Sequence, residues 1–317
     1  MHIAVITGWI SSERAVALRS AENMKDWILR AGHTCEVFDF PSDIHRFLER
    51  YQATTYAKHF PTKNLKKHLE NHQDFDFVIP MFHWIYWEDG QVTAFLKTLG
   101  YIVAYSPFDT HAICIDKYKT NLFIEKMGIK IPKTLFLEKN TTETITNLPF
   151  PLIVKPNRWG SSIGTNKVSN TDEFLESCKM IVDDDILVQE CIEWREFTVA
   201  VYKNFTEYHT LPIIEIKNLK ESFFDFAEKY ETDGSNEVFL EWEDILQKKL
   251  SEESKKIAKL LHCTGVVRID YLYMNSELYF LEVNTIPWFT SGSLVPKMWK
   301  KAGKNEIEFI EILSIEL

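Results

Sequence analysis

Asp270, Glu282 and Asn284 are the side chains in this sequence best suited to chemistry. They lie in two alternating stretches, GVVRIDYLYM and ELYFLEVNT, and the intervening MNSE reads as a hairpin turn. Glu282 and Asn284 are two residues apart and share one face of a strand, and the hairpin can bring Asp270 beside them. Two carboxylates and an amide on one face suit Mg²⁺, a hard cation that takes carboxylate, phosphate and water oxygens. The plainer reading is a solvated polar face. The apolar neighbours Tyr279, Phe280, Leu281 and Val283 speak against it, because acids among core-facing residues need a partner.

Upstream, KPNRWGSSIG places Lys155 at the end of an apolar strand and follows it with a loop holding Gly160, Ser161, Ser162 and Gly164. Such a loop can turn backbone N–H groups and a lysine toward a phosphate. Taken alone it is equally a plain β-turn. The oxygen triad, together with the adenine-sized apolar segment ILVQECI, favours the phosphate.

These side chains need elements to hold them. MHIAVITG reads as a strand, followed by a helix from about Ser12 that Ser11 or Ser12 can cap, and then the strand TCEVFDF. DFVIPMF and YIVAYS are further short apolar strands, and TAFLKTLG between them has helical spacing. Alternating strands and helices predict a parallel sheet with ligands at the carboxyl ends of its strands. No GxGxxG follows the first strand, which argues against an NAD-dependent oxidoreductase. From Pro107 onward the sequence predicts a helix through DKYKTNLFIEKMG, then a strand, loop and strand in PLIVKPNRWGSSIGTNKV. The pair DILVQECIEW and REFTVAVYK, the stretch LPIIEIK, a polar segment and a helix near 250 to 262 precede the hairpin.

With 317 residues the chain can form two or three compact units. Its 45% hydrophobic and 26% charged content is that of an ordinary globular protein. A net charge of −10 without a basic cluster argues against nucleic acid or an anionic membrane as partner. No apolar run reaches about 18 residues and the first residues lack signal-peptide features, so a cytoplasmic protein without a membrane span is expected. The five cysteines are scattered without a CxxC pair and read as reduced thiols.

SSERAVALRS, FHWIYWEDG, IDKYKT, VKPNRWGSSIG, REFTVAV, FDFAEKY, RIDY and LEVNTIPWFTSGSLVPKM occur in this order along nearly the whole chain. In this series the chain resembles the D-alanine–D-alanine ligase family of ATP-grasp enzymes. The resemblance implies an α/β fold, α+β in part, with an N-terminal Rossmann-like parallel-sheet domain at 1–106. A central ATP-grasp subdomain at 107–192 and a C-terminal ATP-grasp subdomain at 193–317 would follow. It implies a ligase that uses ATP and two Mg²⁺ ions, with Mn²⁺ as a substitute, to join two amino acids through an acyl phosphate. Small-molecule amino-acid substrates, a homodimer and a place in peptidoglycan synthesis come with the family. A catalytically inactive nucleotide-binding relative is the alternative.

The resemblance also implies roles. Lys117 and Lys155 would hold the ATP phosphates, Gln189 and Glu190 would lie at the adenine edge, and Glu196 would take the ribose hydroxyls. Lys229 would sit in a loop, from about 218 to 237, that closes over the nucleotide and excludes water from the acyl phosphate. Asp270, Glu282 and Asn284 would bind the metal ions. Glu13 would receive the ammonium of the first amino acid, with Ser161 and Tyr230 completing a hydrogen-bonded set and His83 nearby. Arg268 and the backbone N–H of Trp288 would stabilise the tetrahedral intermediate, and Ser293 with Leu294 would receive the second amino acid. A tyrosine at 230 favours an amide over an ester product.

One departure stands out. The family carries glycine where this chain has Trp288, and Trp9, Trp84, Trp87 and Trp159 also fall within or beside the motifs. The expectation is that the chemistry is kept and substrate choice is altered; an enzyme that still joins two D-alanines is the plainer alternative.

Overall fold

The computed structural model describes residues 1–8, 13–40, 42–43, 75–83, 88–98, 100–139, 148–192, 195–217, 237–241 and 244–315. The first sheet is parallel, with strand order β2-β1-β3, from β1 (His2–Gly8), β2 (Thr34–Phe40) and β3 (Phe77–Met81). β1 is central and buried from Ile3 to Gly8, as a continuous apolar run covered on both faces must be. Helix α1 (Arg14–Arg30) connects β1 to β2 and buries Val16, Ala17, Ser20, Ala21, Met24, Trp27 and Ile28, a stripe at helical spacing. The helix begins after Glu13, whose side chain makes no cap; Ser11 and Ser12 lie outside the described residues.

The helix in TAFLKTLG is present as α2 (Gln91–Thr98). YIVAYS does not form the expected strand. It makes a single parallel bridge, Val78 to Val103, because Tyr105 turns into the left-handed region at φ 69° and ends the extended run. Helices α3 (Phe108–Ile115) and α4 (Lys117–Lys126) follow, the second capped by the Asp116 side chain.

The second sheet is antiparallel, in the order β4-β7-β5-β6: β4 (Thr134–Leu137), β5 (Leu152–Pro156), β6 (Asn166–Val168) and β7 (Ile186–Glu190). Helix α5 (Thr171–Met180) covers one face, where Leu152, Val154 and Val188 meet Phe174. Lys155 pairs with Leu187 and Ile153 with Gln189, so these four share the opposite face.

The third sheet joins β8 (Arg195–Asn204), β9 (Glu207–Thr210), β10 (Ile214–Ile216) and β11 (Glu237–Phe239) to a long hairpin of β12 (Val266–Met274) and β13 (Glu277–Asn284). DILVQECIEW and REFTVAVYK therefore belong to different sheets rather than to one pair. Helix α6 (Asp244–Leu260) starts earlier than expected and backs this sheet through Leu250, Ile257 and Ala258. The hairpin turn is Asn275-Ser276, with φ of 49° and 65°, the left-handed pair that matches strand twist. Helix α8 (Glu306–Ser314) packs against α1, and α7 (Leu294–Lys301) joins the same core through Val295, Met298 and Trp299. There Trp27, Phe289, Trp299 and Phe309 form one aromatic cluster, so the first sheet and the end of the chain share a core.

Candidate active site

Strand register assembles the first part of the site. Asp270 pairs with Glu282 and Thr198, and Arg268 pairs with Asn284 and Ala200, which puts all four charged and amide side chains on one face. The other face, with Val267, Ile269, Tyr271 and Val283, is core. A bulge between Asp270 and Tyr271 leaves Leu281 unmatched next to Glu282. Asp270 is held by Thr198 Oγ1 at 2.6 Å, by Asn284 Nδ2 at 3.1 Å and by Arg268, whose Nη2 is 2.9 Å away. Burial works against the Arg268 charge, but Asp270, Glu282 and Glu196 outweigh it and keep the guanidinium firmly protonated.

The two lysines approach from the second sheet and α4. Lys117 Nζ donates to the Trp159 carbonyl and lies 3.6 Å from Glu282. Lys155, at the end of β5, is 7% exposed. A cleft between Lys117 and the hairpin is walled by Lys117, Arg158, Trp159, Gly160, Glu282 and Asn284. Ser161 and Ser162 in the loop both sit in the left-handed region, with φ of 54° and 59°, and Gly164 follows at 71°. That backbone is costly for residues with a Cβ and marks a loop held in a set shape by its surroundings.

Glu13, 4% exposed, meets that loop directly. Its carboxylate accepts hydrogen bonds from the Ser161 hydroxyl and the Trp288 indole N–H. Burial raises its pKa above the ordinary value, opposed by those two bonds and by Arg268. His83 stands next to the indole, ring centroids 6.0 Å apart, and its Nε2 meets Ser20 Oγ at 3.4 Å. Burial pushes His83 down to about 3, with Arg268 acting in the same direction, so the ring is neutral near pH 7.

The other expected residues divide. Gln189 shares the Lys155 face and bonds Thr134, whereas Glu190 falls on the opposite face of β7 and accepts from the Lys133 N–H at 2.9 Å. Glu196 shares the Asp270 face of the third sheet. Ser293 stands at the start of α7, where its Oγ accepts from Thr290 N at 3.0 Å, and Leu294 begins the helix. Lys229 and Tyr230, like Trp9, Trp84 and Trp87, lie outside the described residues.

Residues that sequence reasoning passed over position this machinery. Asn157, 1% exposed, donates to Asp116 Oδ1 at 2.9 Å, accepts from Tyr118 N at 2.9 Å, and so ties the start of α4 to the end of β5. Burial alone would raise Asp116, yet bonds from Lys119 and Asn157 hold it below its usual value. The available signal was an aspartate immediately before a helix, a capping pattern. Ser20 accepts from Phe289 N at 3.1 Å and Asn23 Nδ2 donates to Phe289 O at 2.8 Å, fixing the backbone beside Trp288.

The family model described as the D-Ala D-Ala ligase C-terminus matches residues 123–314. A D-alanine–D-alanine ligase of Thermotoga petrophila is 31% identical over 317 residues, covering 99% of this chain and 96% of the relative. The chain belongs to the D-alanine–D-alanine ligase family. The D-alanine–D-alanine ligase B of Clostridium tetani is 34% identical over 274 residues, 80% of this chain and 76% of that protein. Among solved structures, the Bacillus anthracis D-alanine–D-alanine ligase complexed with ATP superposes with a TM-score of 0.79 at 25% identity, covering 100% of this chain and 98% of the other. The VanG D-Ala:D-Ser ligase of Enterococcus faecalis gives 0.78 at 27% identity, with 98% of each chain covered. This member of the family has the ATP-grasp fold and is an ATP-dependent ligase.

The ligase's hairpin offers oxygen donors that fit a divalent cation. Among the described residues no three His, Cys, Asp or Glu side chains form a metal site by themselves. Two carboxylates and an amide leave room for phosphate and water oxygens, which is how Mg²⁺ is usually held.

Proposed function

We propose that this ligase activates the carboxylate of one amino acid with ATP and joins it to the amine of a second, with D-alanine the reference substrate for both positions. The observation that carries this reading is the single polar face of Glu196, Thr198, Arg268, Asp270, Glu282 and Asn284 beside Lys117. Lys117 and Lys155 act as point charges on the ATP phosphates, and Gln189 and Lys229 complete the nucleotide site with Glu196 on the ribose. Asp270, Glu282 and Asn284 hold Mg²⁺, which neutralises phosphate charge when bound.

Glu13 and Ser161, joined by Tyr230, orient the first amino acid by its ammonium, with His83 alongside. Its carboxylate attacks the γ-phosphate to give an acyl phosphate and ADP. The amine of the second amino acid, bound by Ser293 and Leu294, adds to the acyl carbon. Arg268 and the N–H of residue 288 face the oxygen that becomes negative, and phosphate leaves to give an amide. The three sheets correspond in this reading to three units, at 1–106, 107–192 and 193–317. A homodimer in the cytoplasm, supplying peptidoglycan synthesis, is the matching setting. Among the described residues no helix is long and apolar enough to cross a membrane.

Phosphate release from ATP and Mg²⁺ with D-alanine, followed by mass spectrometry, tests the proposal. Release that requires the amino acid and yields a dipeptide mass supports it. Bound ATP without amino-acid-dependent release across an amino-acid panel would instead favour an inactive nucleotide-binding relative.

A further inference from the structure

The Trp288 indole is held at both ends. Its backbone is fixed by Phe289, which is fully buried against Trp27 and Phe309 and bonded to Ser20 and Asn23 of α1. Its tip, the indole N–H, is the side chain's single donor and lies beside the Glu13 carboxylate. His83, 3% exposed, stands beside the ring and limits its sideways movement.

In the proposed reaction the first amino acid extends from Glu13, which takes its ammonium, to the N–H of residue 288, which faces its acyl oxygen. The indole leaves the chain at the second point and ends on the first, so it runs along the same path as the substrate. A carboxylate has about four lone-pair positions. Ser161 and Trp288 occupy two, which leaves Glu13 able to take an ammonium as well. What the indole removes is space around the substrate's α-carbon.

We propose that Trp288 is a specificity-determining residue that narrows the first-substrate position so that glycine is the preferred acyl donor. The second position, at the start of α7, stays open to an amino acid with a side chain. This inference rests on the ligase reading above and adds the identity of the donor to it. One methyl group more or less in a fitted pocket changes kcat/KM by roughly 10- to 200-fold, so the preference is large enough to measure.

The experiment uses the full chain with ATP, Mg²⁺ and equimolar glycine and D-alanine. The two mixed dipeptides have equal mass, so fragmentation must identify the N-terminal residue, which is the donor. The expected result is glycine at the N-terminus by about tenfold or more. Trp288→Gly shifts the donor toward D-alanine by a similar factor. Trp288→Phe, which keeps the ring bulk and loses the N–H, retains the glycine preference and gives a second test if the glycine variant folds poorly. D-Alanine as the wild-type donor, or a donor preference unchanged in Trp288→Gly, overturns the inference and leaves the ligase reading standing. Absence of amino-acid-dependent ADP formation in wild-type protein that binds ATP overturns both.

Discussion

The hairpin face and the Glu13 corner are built in opposite ways. Arg268, Asp270, Glu282 and Asn284 stand on two adjacent strands, with Thr198 on a third, and strand register alone aligns them. A one-residue slip would send all of them into the core, so the register is strongly enforced. Glu13, His83, Ser161 and Trp288 come from four separated segments and meet only because α1, the loop after β5 and the turn after β13 pack together. In the proposed reaction the groups that would hold the metal ion and face the transferred phosphate sit on rigid strands. The groups that would meet the first amino acid sit where the chain can change without disturbing a sheet.

The sharpest way to break this contrast is Asp270→Ala. It leaves Arg268, a buried cation, without its main partner, which costs about 3 kcal/mol of stability. Turnover should also fall by on the order of 10²-fold or more. Urea unfolding and phosphate release measure the two effects; a variant of wild-type stability would mean that Glu282 or Glu196 replaces the lost charge.

Acid tests each region through one buried histidine. His83 borders Trp288, and His111 Nδ1 bonds Thr285 Oγ1 at 2.7 Å beside the hairpin end. Their folded values, about 3 and about 4, lie below the ordinary 6.5 because both are buried. The unfolded chain therefore binds more protons once the pH drops below 6.5. The stability these neutral rings contribute is full above that point and is lost as pH falls toward 3 and 4. Each adds up to about 1.4 kcal/mol per pH unit to the slope. Urea midpoints between pH 7 and 4 should show this, and His111→Gln should flatten the profile by its share.

Two serines probe the corner more gently. Ser20→Ala leaves the buried Phe289 N–H unsatisfied and should cost roughly 1 to 3 kcal/mol, seen as a lower unfolding midpoint. Ser161→Ala removes one donor to Glu13 and should cost about 1 kcal/mol. Its kcat/KM for the first amino acid should fall while the ATP dependence stays near that of wild type. Equal losses in both would place Ser161 on the nucleotide side of the site.

Much of the hairpin site was legible in the sequence. The alternation in GVVRIDYLYM and ELYFLEVNT, with Asn-Ser between, gives two strands, a turn and a shared face from period-two geometry alone. TCEVFDF was legible for the same reason. YIVAYS has the composition of a strand, but its pairing ends where Tyr105 adopts a positive φ that no local pattern announces. The separation of β7 from β8 was equally hidden, since neighbours in sequence are only more often neighbours in a sheet.

The Glu13 corner shows the remaining limit. The sequence marked Glu13, Ser161, His83 and Trp288 one by one through a family likeness, and it showed that a tryptophan stands where glycine is usual. It could not show where the indole goes. That was decided by Phe289 entering the aromatic core with Trp27 and Phe309, and by Ser20 and Asn23 gripping its backbone. Short-range periodicity is written in neighbouring residues, so the sequence by itself determined the two hairpin strands and their polar face, and its ordered motifs carried the resemblance to the family. The direction of one side chain between distant segments depends on packing among residues hundreds of positions apart, and only the tertiary structure brings those together.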